Sequence, residues 1–123
     1  MLKTFIALGA INAFLTVALG AFGAHGLKTR LSEDMMAVYQ TGVQYHMFHS
    51  LGLIAVGITA GQLAPTPLLT WSGWAMAAGI LLFSGSLYVL SISGIKILGA
   101  ITPFGGVAFL IGWTLLAYAA LKG

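Results

Sequence analysis

The chain has 123 residues, of which 59% are hydrophobic and 6% charged, whereas an ordinary soluble domain is about 45–50% apolar and about 25% charged. This composition excludes a soluble globular domain. The net charge of +3 comes from five scattered Lys and Arg residues, so the chain lacks the basic patch of a nucleic-acid-binding protein. The sequence has no cysteine, which excludes disulfides, thiol nucleophiles and thiolate metal sites.

The few charges divide the sequence into long apolar stretches. Charge-free runs of 24, 61 and 25 residues lie between the charged positions, and about 20 apolar residues cross the hydrocarbon core of a bilayer. The runs therefore hold one, two or three, and one spans. Four spans use about 80 residues, which predicts an all-α integral membrane protein: a compact four-transmembrane-helix bundle with short loops and one domain, residues 1–123. The charged residues are Lys3, Lys28, Arg30, Glu33, Asp34, Lys96 and Lys122.

The first span is predicted over about residues 5–24. Lys3 followed by an apolar run also fits the beginning of a signal peptide, with Gly23 or Ala24 at the cleavage site, and that interpretation stays open. The apolar stretch is long for a signal peptide and contains Asn12. These two features favour a retained helix.

The second helix is predicted to begin near Ser32. A serine hydroxyl caps a helix well, and the acids Glu33 and Asp34 lie at the positive end of the helix dipole. A helix from residue 33 to residue 61 is about 43 Å long, which exceeds the hydrocarbon thickness. We therefore expect an interfacial start over about residues 33–42 and a membrane span over about residues 43–61.

Two prolines divide the 61-residue run. Pro65 and Pro67 lie too close together for an unbroken helix, so the third span is predicted over about residues 69–90, with amphipathic aromatic residues at its interfaces. The fourth span, about residues 103–121, starts with a proline in its first turn, where proline is well tolerated. The interfacial aromatic residues of the third span are Trp71, Trp74 and Tyr88.

Four spans place both termini on one face of the membrane. Lys28, Arg30 and Lys96 lie on the side of loops one and three, against Lys3 and Lys122 on the terminal side. The side richer in Lys and Arg is usually cytoplasmic. We therefore predict that loops one and three are cytoplasmic and that both termini lie outside.

Small residues recur at four-residue spacing within the predicted spans. In lipid such residues let helix backbones approach to van der Waals contact, because no hydrophobic force draws the helices together. The pairs serve either packing within the chain or a face for homo-oligomers. They are Gly9 and Ala13, Gly20 and Ala24, Gly57 and Gly61, Ala75 and Gly79, and Ala108 and Gly112.

The predicted spans contain polar side chains but no carboxylate and no cation. A proton-coupled exporter of the small multidrug type depends on a membrane-embedded acid, and a triad hydrolase needs an orienting carboxylate in its site. Glu33 and Asp34 lie at the membrane edge, so they supply neither. The sequence therefore predicts a protein that is not an enzyme and has no cofactor or metal ion.

Asn12 and Trp113 are predicted to share one buried polar layer. Counted along their helices, Asn12 lies about 10 Å and Trp113 about 12 Å from the terminal face. A lipid-exposed amide is costly, so Asn12 is expected to face the interior and to bond the Trp113 indole or a backbone carbonyl.

All three histidines, His25, His46 and His49, are predicted to lie in one half of the bilayer. With Gln40 and Gln44 they form a candidate polar cluster between the first and second spans, in which His25 and His49 approach each other. Three interpretations remain open: polar groups that satisfy one another, a pH-responsive site and a metal site.

Three stretches together resemble a known family: GAFGAHGL at residues 20–27, YQTGVQYHMFHSLGL at residues 39–53, and FSGSLYVL with LGAITPFGGVAFLIGW within residues 83–113. They are similar to the YgdD-like family of small bacterial inner-membrane proteins, grouped under domain of unknown function 423. The resemblance implies a four-helix protein of the inner or plasma membrane. It implies no activity, cofactor or catalytic residue.

Three functions follow as hypotheses. The first is a non-enzymatic scaffold or accessory subunit whose partners are the lipid bilayer, a second copy or another membrane protein. The second is a small-solute channel or transporter, with a path lined by polar side chains. The third is a metal or haem protein that uses His25, His46 and His49. The side chains proposed for the solute path are Asn12, Ser84, Ser86 and Thr114.

Overall fold

The computed structural model describes residues 2–122, which contain helices, turns and short connections and no strand. The predicted all-α fold class is confirmed. The first helix is Leu2–Phe22, extended by a π-helical turn, Gly23–Leu27; the second is Glu33–Gln62, the third is Pro67–Ser93 and the fourth is Thr102–Lys122.

The second helix begins as the sequence predicts. The Ser32 side chain accepts a hydrogen bond from the Met35 backbone N–H at 3.1 Å. Glu33 and Asp34 follow in the first turn, where the helix dipole favours negative charge. From this cap the helix continues through Gln62 as one α-helix of 30 residues.

The predicted break between the second and third helices is confirmed. Pro65 lies in the connection, and Pro67 is the first residue of the third helix. The Thr66 side chain caps that helix by accepting a hydrogen bond from the Leu68 backbone N–H at 3.3 Å. Proline is favoured at this first position because the first helical N–H groups have no partner within the helix.

The third helix changes its winding in the middle. It is α-helical over Pro67–Gly79, π-helical over Ile80–Ser84 and α-helical again over Gly85–Ser93. Gly94 ends it with φ of 75°, a left-handed conformation that glycine adopts without steric cost. A 3-10 turn over Lys96–Ala100 then leads into the fourth helix.

Consecutive helices pack antiparallel. Gly9 near the start of the first helix lies against Ser50 and Ile54 of the second, whereas Gly23 after the first helix lies against Tyr39. Residue numbers therefore rise along one helix as they fall along the other. The same relation holds between the third and fourth helices, where Gly105 lies against Phe83 and Gly112 against Met76.

Glycines make these contacts close. A Cβ atom at Gly9 would lie 2.5 Å from the Ser50 carbonyl oxygen, and one at Gly105 would collide with the Phe83 backbone. Small residues thus allow backbones to meet, as expected for helices that pack in lipid. Four members of the predicted small-residue pairs lie against other helices of this same chain: Gly9, Gly20, Gly79 and Gly112.

The hydrophobic core receives side chains from all four helices. Met76 of the third helix is fully buried near its centre, and it lies between Gly52 of the second helix and Gly112 of the fourth. The other buried core residues are Phe5, Leu53, Val56, Leu69, Ile80, Phe109 and Ala119.

Three of the four helices are long and apolar enough to cross a membrane, over Lys3–Leu27, Pro67–Ser93 and Lys96–Lys122. The second helix has the length but is the least apolar of the four, because polar side chains interrupt it between residues 40 and 49. Three helices are therefore long and apolar enough to span a membrane, against the four spans that the sequence predicts. The interrupting side chains are Gln40, Thr41, Gln44, His46 and His49.

Candidate functional site

The candidate site is built on two buried histidines of the second helix. His46 and His49 are each 4% exposed. Residues three apart on an α-helix point about 60° apart around its axis, so the two rings can meet different neighbouring helices while both remain inside the protein.

His46 joins the first, second and third helices. Its Nδ1 lies 2.8 Å from the Tyr88 hydroxyl and its Nε2 lies 2.9 Å from Asn12 Oδ1. The Asn12 amide nitrogen donates to the Leu8 carbonyl at 2.8 Å, which leaves the amide oxygen as the acceptor for His46. The neutral ring therefore carries its proton on Nε2, and Nδ1 accepts the Tyr88 hydroxyl proton.

His49 joins the second and fourth helices. Its Nδ1 donates to the Tyr45 carbonyl at 2.7 Å, and its Nε2 accepts the Trp113 indole N–H at 2.9 Å. The ring also stacks on Phe109, with centroids 3.4 Å apart and planes inclined by 9°. His49 thus carries its proton on Nδ1, the opposite tautomer to His46, and both nitrogens of each ring are engaged.

Of the two partners expected for Asn12, the Trp113 indole or a backbone carbonyl, the structure shows the carbonyl. Asn12 faces inward and bonds a backbone carbonyl as expected, but its side-chain partner is His46, while Trp113 bonds His49. The His46 ring points toward the first helix and the His49 ring toward the fourth, so Asn12 and Trp113 each bond a different histidine. The two residues therefore belong to separate hydrogen-bonded groups.

The predicted approach of His25 to His49 is also corrected. Gly23 packs against Tyr39, so His25 lies near the beginning of the second helix, and ten residues, about 15 Å of helix, separate Tyr39 from His49. His25 is exposed, and His49 points toward the fourth helix. Gln40 and Gln44 are exposed as well.

The five-residue polar cluster is therefore divided into two buried histidines and three exposed side chains near loop one. Among residues 2–122, no three His, Asp or Glu side chains come close enough to hold a metal ion together. The ligand set proposed for metal or haem, with His25 beside His46 and His49, is not assembled.

Hydroxyl groups make most of the remaining polar contacts. Ser72 donates to the Gly112 carbonyl at 2.6 Å and so joins the third and fourth helices. The Ser86 and Thr102 hydroxyls lie 2.6 Å apart. Ser84 is fully buried, and its hydroxyl has no hydrogen-bond partner within the part of the chain that the structure describes.

The polar side chains proposed for a solute path do not face one another. Asn12 is bonded to His46, Ser86 is bonded to Thr102, and Thr114 is exposed and bonded to the Leu110 carbonyl. Within residues 2–122, none of these side chains is hydrogen-bonded to another of the set.

A groove of about 830 Å³ lies between the second and fourth helices. No pattern in the sequence predicts this groove. His49 and Trp113 contribute to its lining, and most of the other lining residues are aliphatic or aromatic: Tyr45, Phe48, Leu51, Gly52, Ala55, Phe83, Pro103, Gly106, Val107, Phe109 and Leu110.

Tyr88 and Phe109 were missed as partners of the histidines. The position of Tyr88 near the end of the third predicted span indicates an interfacial residue, and Phe109 is one apolar residue among many in the fourth. The sequence carries no signal for either contact, because each depends on how two helices are rotated against each other.

The comparisons with known proteins agree with the membrane assignment. The model of the family described as "Protein of unknown function (DUF423)" matches residues 19–106. The UPF0382 membrane protein YwdK of Bacillus subtilis is 57% identical over 98% of both chains. UPF0382 membrane proteins of Staphylococcus epidermidis and Staphylococcus saprophyticus are 48% and 47% identical, over 98% of this chain and 98% and 99% of theirs. No solved structure matches the chain.

Proposed function

The chain belongs to the DUF423 family, as its motifs indicated, and from that premise we propose that this membrane protein is a non-enzymatic scaffold or accessory subunit. The observation that carries the proposal is that both nitrogens of His46 and of His49 are used in hydrogen bonds between or within helices. The histidines, which have the chemistry for acid–base or metal work, therefore serve to hold the four helices together.

The proposal includes the second helix as a fourth membrane span, which makes the fold a four-helix bundle in a bacterial inner or plasma membrane. Its buried polar groups bond other parts of the protein, so they need not meet lipid. Its first turns, about residues 33–42, would lie at the interface.

Single cysteines test this topology, because the natural chain has none. Thr29→Cys, in loop one, and Ala64→Cys, in the second connection, are both exposed positions. In the predicted orientation, loops one and three lie in the cytoplasm. An impermeant maleimide added to spheroplasts then reaches Ala64→Cys only if the second helix crosses the membrane and ends on the outer side.

With four spans the second connection lies on the terminal side, which the charge bias predicts to be outside. Ala64→Cys should therefore react before lysis and Thr29→Cys only after it. Reaction of both positions on the same side would contradict a membrane-crossing second helix, and the reverse order would contradict the orientation alone.

The accessory role predicts that the chain resides in a larger assembly in its own membrane. Native membranes from cells with a tagged chromosomal copy would be cross-linked, extracted in mild detergent and resolved on native gels, with the untagged strain as the control. A reproducible complex above the size of one chain, containing a second membrane protein, is expected. A chain that migrates alone and supports solute flux in proteoliposomes would instead favour the transporter.

A further inference from the structure

The groove between the second and fourth helices has the dimensions of a ligand site. Tyr45 to Ala55 along one wall and Pro103 to Trp113 along the other each cover ten residues, or about 15 Å of helix. Its volume of about 830 Å³ lies within the range of about 300–1,000 Å³ found for small-molecule sites.

The groove opens to the side of the protein. The residues along its rims are exposed: Phe48 and Leu51 by 53% each on one helix, and Val107 by 54% and Leu110 by 68% on the other. The fourth helix is one of the three that are apolar enough to cross a membrane. A molecule that enters the groove therefore comes from the hydrocarbon phase of the bilayer.

The polar groups of the groove lie at defined places. Among the lining residues, Trp113 donates its indole N–H to His49 Nε2, so these two atoms offer nothing to a ligand. At the end near the start of the fourth helix, the Tyr45 hydroxyl makes no hydrogen bond within residues 2–122. This arrangement fits a molecule that is apolar along most of its length and carries one hydrogen-bonding group at its end.

Aromatic rings form the floor near that hydroxyl. The Tyr45 and Phe83 centroids are 4.6 Å apart, Phe83 and Phe109 are 5.4 Å apart, and the His49 ring lies parallel to Phe109. A saturated chain gains little by leaving bulk lipid for such a floor, because lipid tails are equally apolar. A flat ring gains stacking interactions that bulk lipid cannot offer.

We infer that this groove is a binding site for a ring-bearing amphiphile of the bilayer, of the quinone type with an isoprenoid tail. The ring packs on Phe83, beside the buried Phe109, a ring oxygen accepts the Tyr45 hydroxyl proton, and the tail follows the groove toward Ala55. The inference concerns binding only, and it holds whether or not the chain has a protein partner.

Quenching of the Trp113 fluorescence tests the inference directly. The three tryptophans of the chain are Trp71, Trp74 and Trp113, so the double substitution Trp71→Phe and Trp74→Phe leaves Trp113 as the reporter inside the groove. The full chain would be placed in nanodiscs and titrated with a naphthoquinone that carries a four-isoprene tail, which quenches tryptophan on contact.

Gly106→Leu is the variant that fills the groove. A Cβ atom at Gly106 has its nearest neighbour, Phe83, at 3.9 Å, so the backbone accepts a side chain there. Ala18→Leu adds a leucine to the exposed face of the first helix, away from the groove, and is the matched control. Tyr45→Phe preserves the shape of the groove and removes only the hydroxyl. Circular dichroism and elution volume check the folding of each variant.

We expect saturable quenching in the parent and the same apparent affinity for the quinone in Ala18→Leu. The apparent affinity should fall at least about tenfold in Gly106→Leu and about threefold to tenfold in Tyr45→Phe. Equal quenching in the parent and in Gly106→Leu would show partition into lipid and overturn the inference. Equal competition by a branched alkane without a ring would overturn it as well. A third outcome would also overturn it: the parent is a dimer, Gly106→Leu dissociates that dimer, and the quinone does not quench saturably. A second copy of the chain would then occupy the groove.

Discussion

The two histidines of the second helix face surroundings that differ in how completely they are closed. On the His46 side, Asn12 and Tyr88 complete a hydrogen-bonded chain across three helices. On the His49 side, Trp113 completes a single link to the fourth helix, and a groove remains beside it. Polar groups in lipid must find partners. The hydrogen bonds of His46 join three helices and close one side, whereas the hydrogen bond of His49 joins two helices that leave a groove open to the side.

The largest expected effect comes from adding a side chain on each side. Gly9→Leu places a Cβ atom 2.5 Å from the Ser50 carbonyl, so the first helix must move away and the variant should lose about 3 kcal/mol or more of stability. Gly106→Leu on the open side should remain folded. Thermal unfolding of detergent-solubilised protein measures both, and equal loss in the two variants would mean that the two sides are equally closed.

The second effect concerns the polar chain at His46. His46→Leu leaves the Asn12 oxygen and the Tyr88 hydroxyl without their partner, which should cost about 1–3 kcal/mol. Because the residues form one chain, a further Tyr88→Phe substitution should cost less in the His46→Leu background than in the parent. A double-mutant cycle from thermal unfolding checks this coupling, and additive costs would contradict a shared network.

A smaller effect is expected on the His49 side. Trp113→Phe removes the hydrogen bond to His49 and keeps an aromatic ring, so it should cost about 0.5–1.5 kcal/mol. Trp71 is 65% exposed, and Trp71→Phe serves as the control with no measurable change. A cost for Trp113→Phe above that of His46→Leu would reverse the ranking of the two sides.

The smallest effect is expected at Ser84. Its buried hydroxyl has no partner within residues 2–122, so Ser84→Ala should leave stability unchanged or raise it slightly, within about 1 kcal/mol. Ser72→Ala, which breaks the bond to the Gly112 carbonyl, should lower stability by about 1 kcal/mol. If Ser84→Ala proves the more damaging of the two, its hydroxyl is engaged in the membrane.

The sequence predicted the ends of helices better than their contacts. Ser32 and Pro67 mark helix starts through local chemistry, a hydroxyl cap and a missing N–H, which act wherever the helix lies. The fit of Asn12 to His46 depends on how each helix is rotated about its axis. The first and fourth helices are apolar on all sides, so no hydrophobic stripe indicates which side faces inward.

The histidines illustrate the same limit. Their spacing predicted one shared face, but a 60° difference in direction was enough to send His46 toward Tyr88 and His49 toward Trp113. The groove depends on side chains from three helices together. Such a feature has no signal in any single stretch of sequence.

The π-helical turn at Ile80–Ser84 bears on which insertions and deletions the chain tolerates. A π turn is a helix that accommodates one extra residue, and removing one residue from a helix rotates everything beyond it by about 100°. Within the π turn, however, four α-helical residues would turn the chain through about the same angle as the five π-helical ones. Deletion of Leu82 would therefore restore a regular helix and leave Tyr88 facing His46, whereas deletion of Leu87, beyond the π turn, would turn Tyr88 away and break the contact that ties the third helix to the first two.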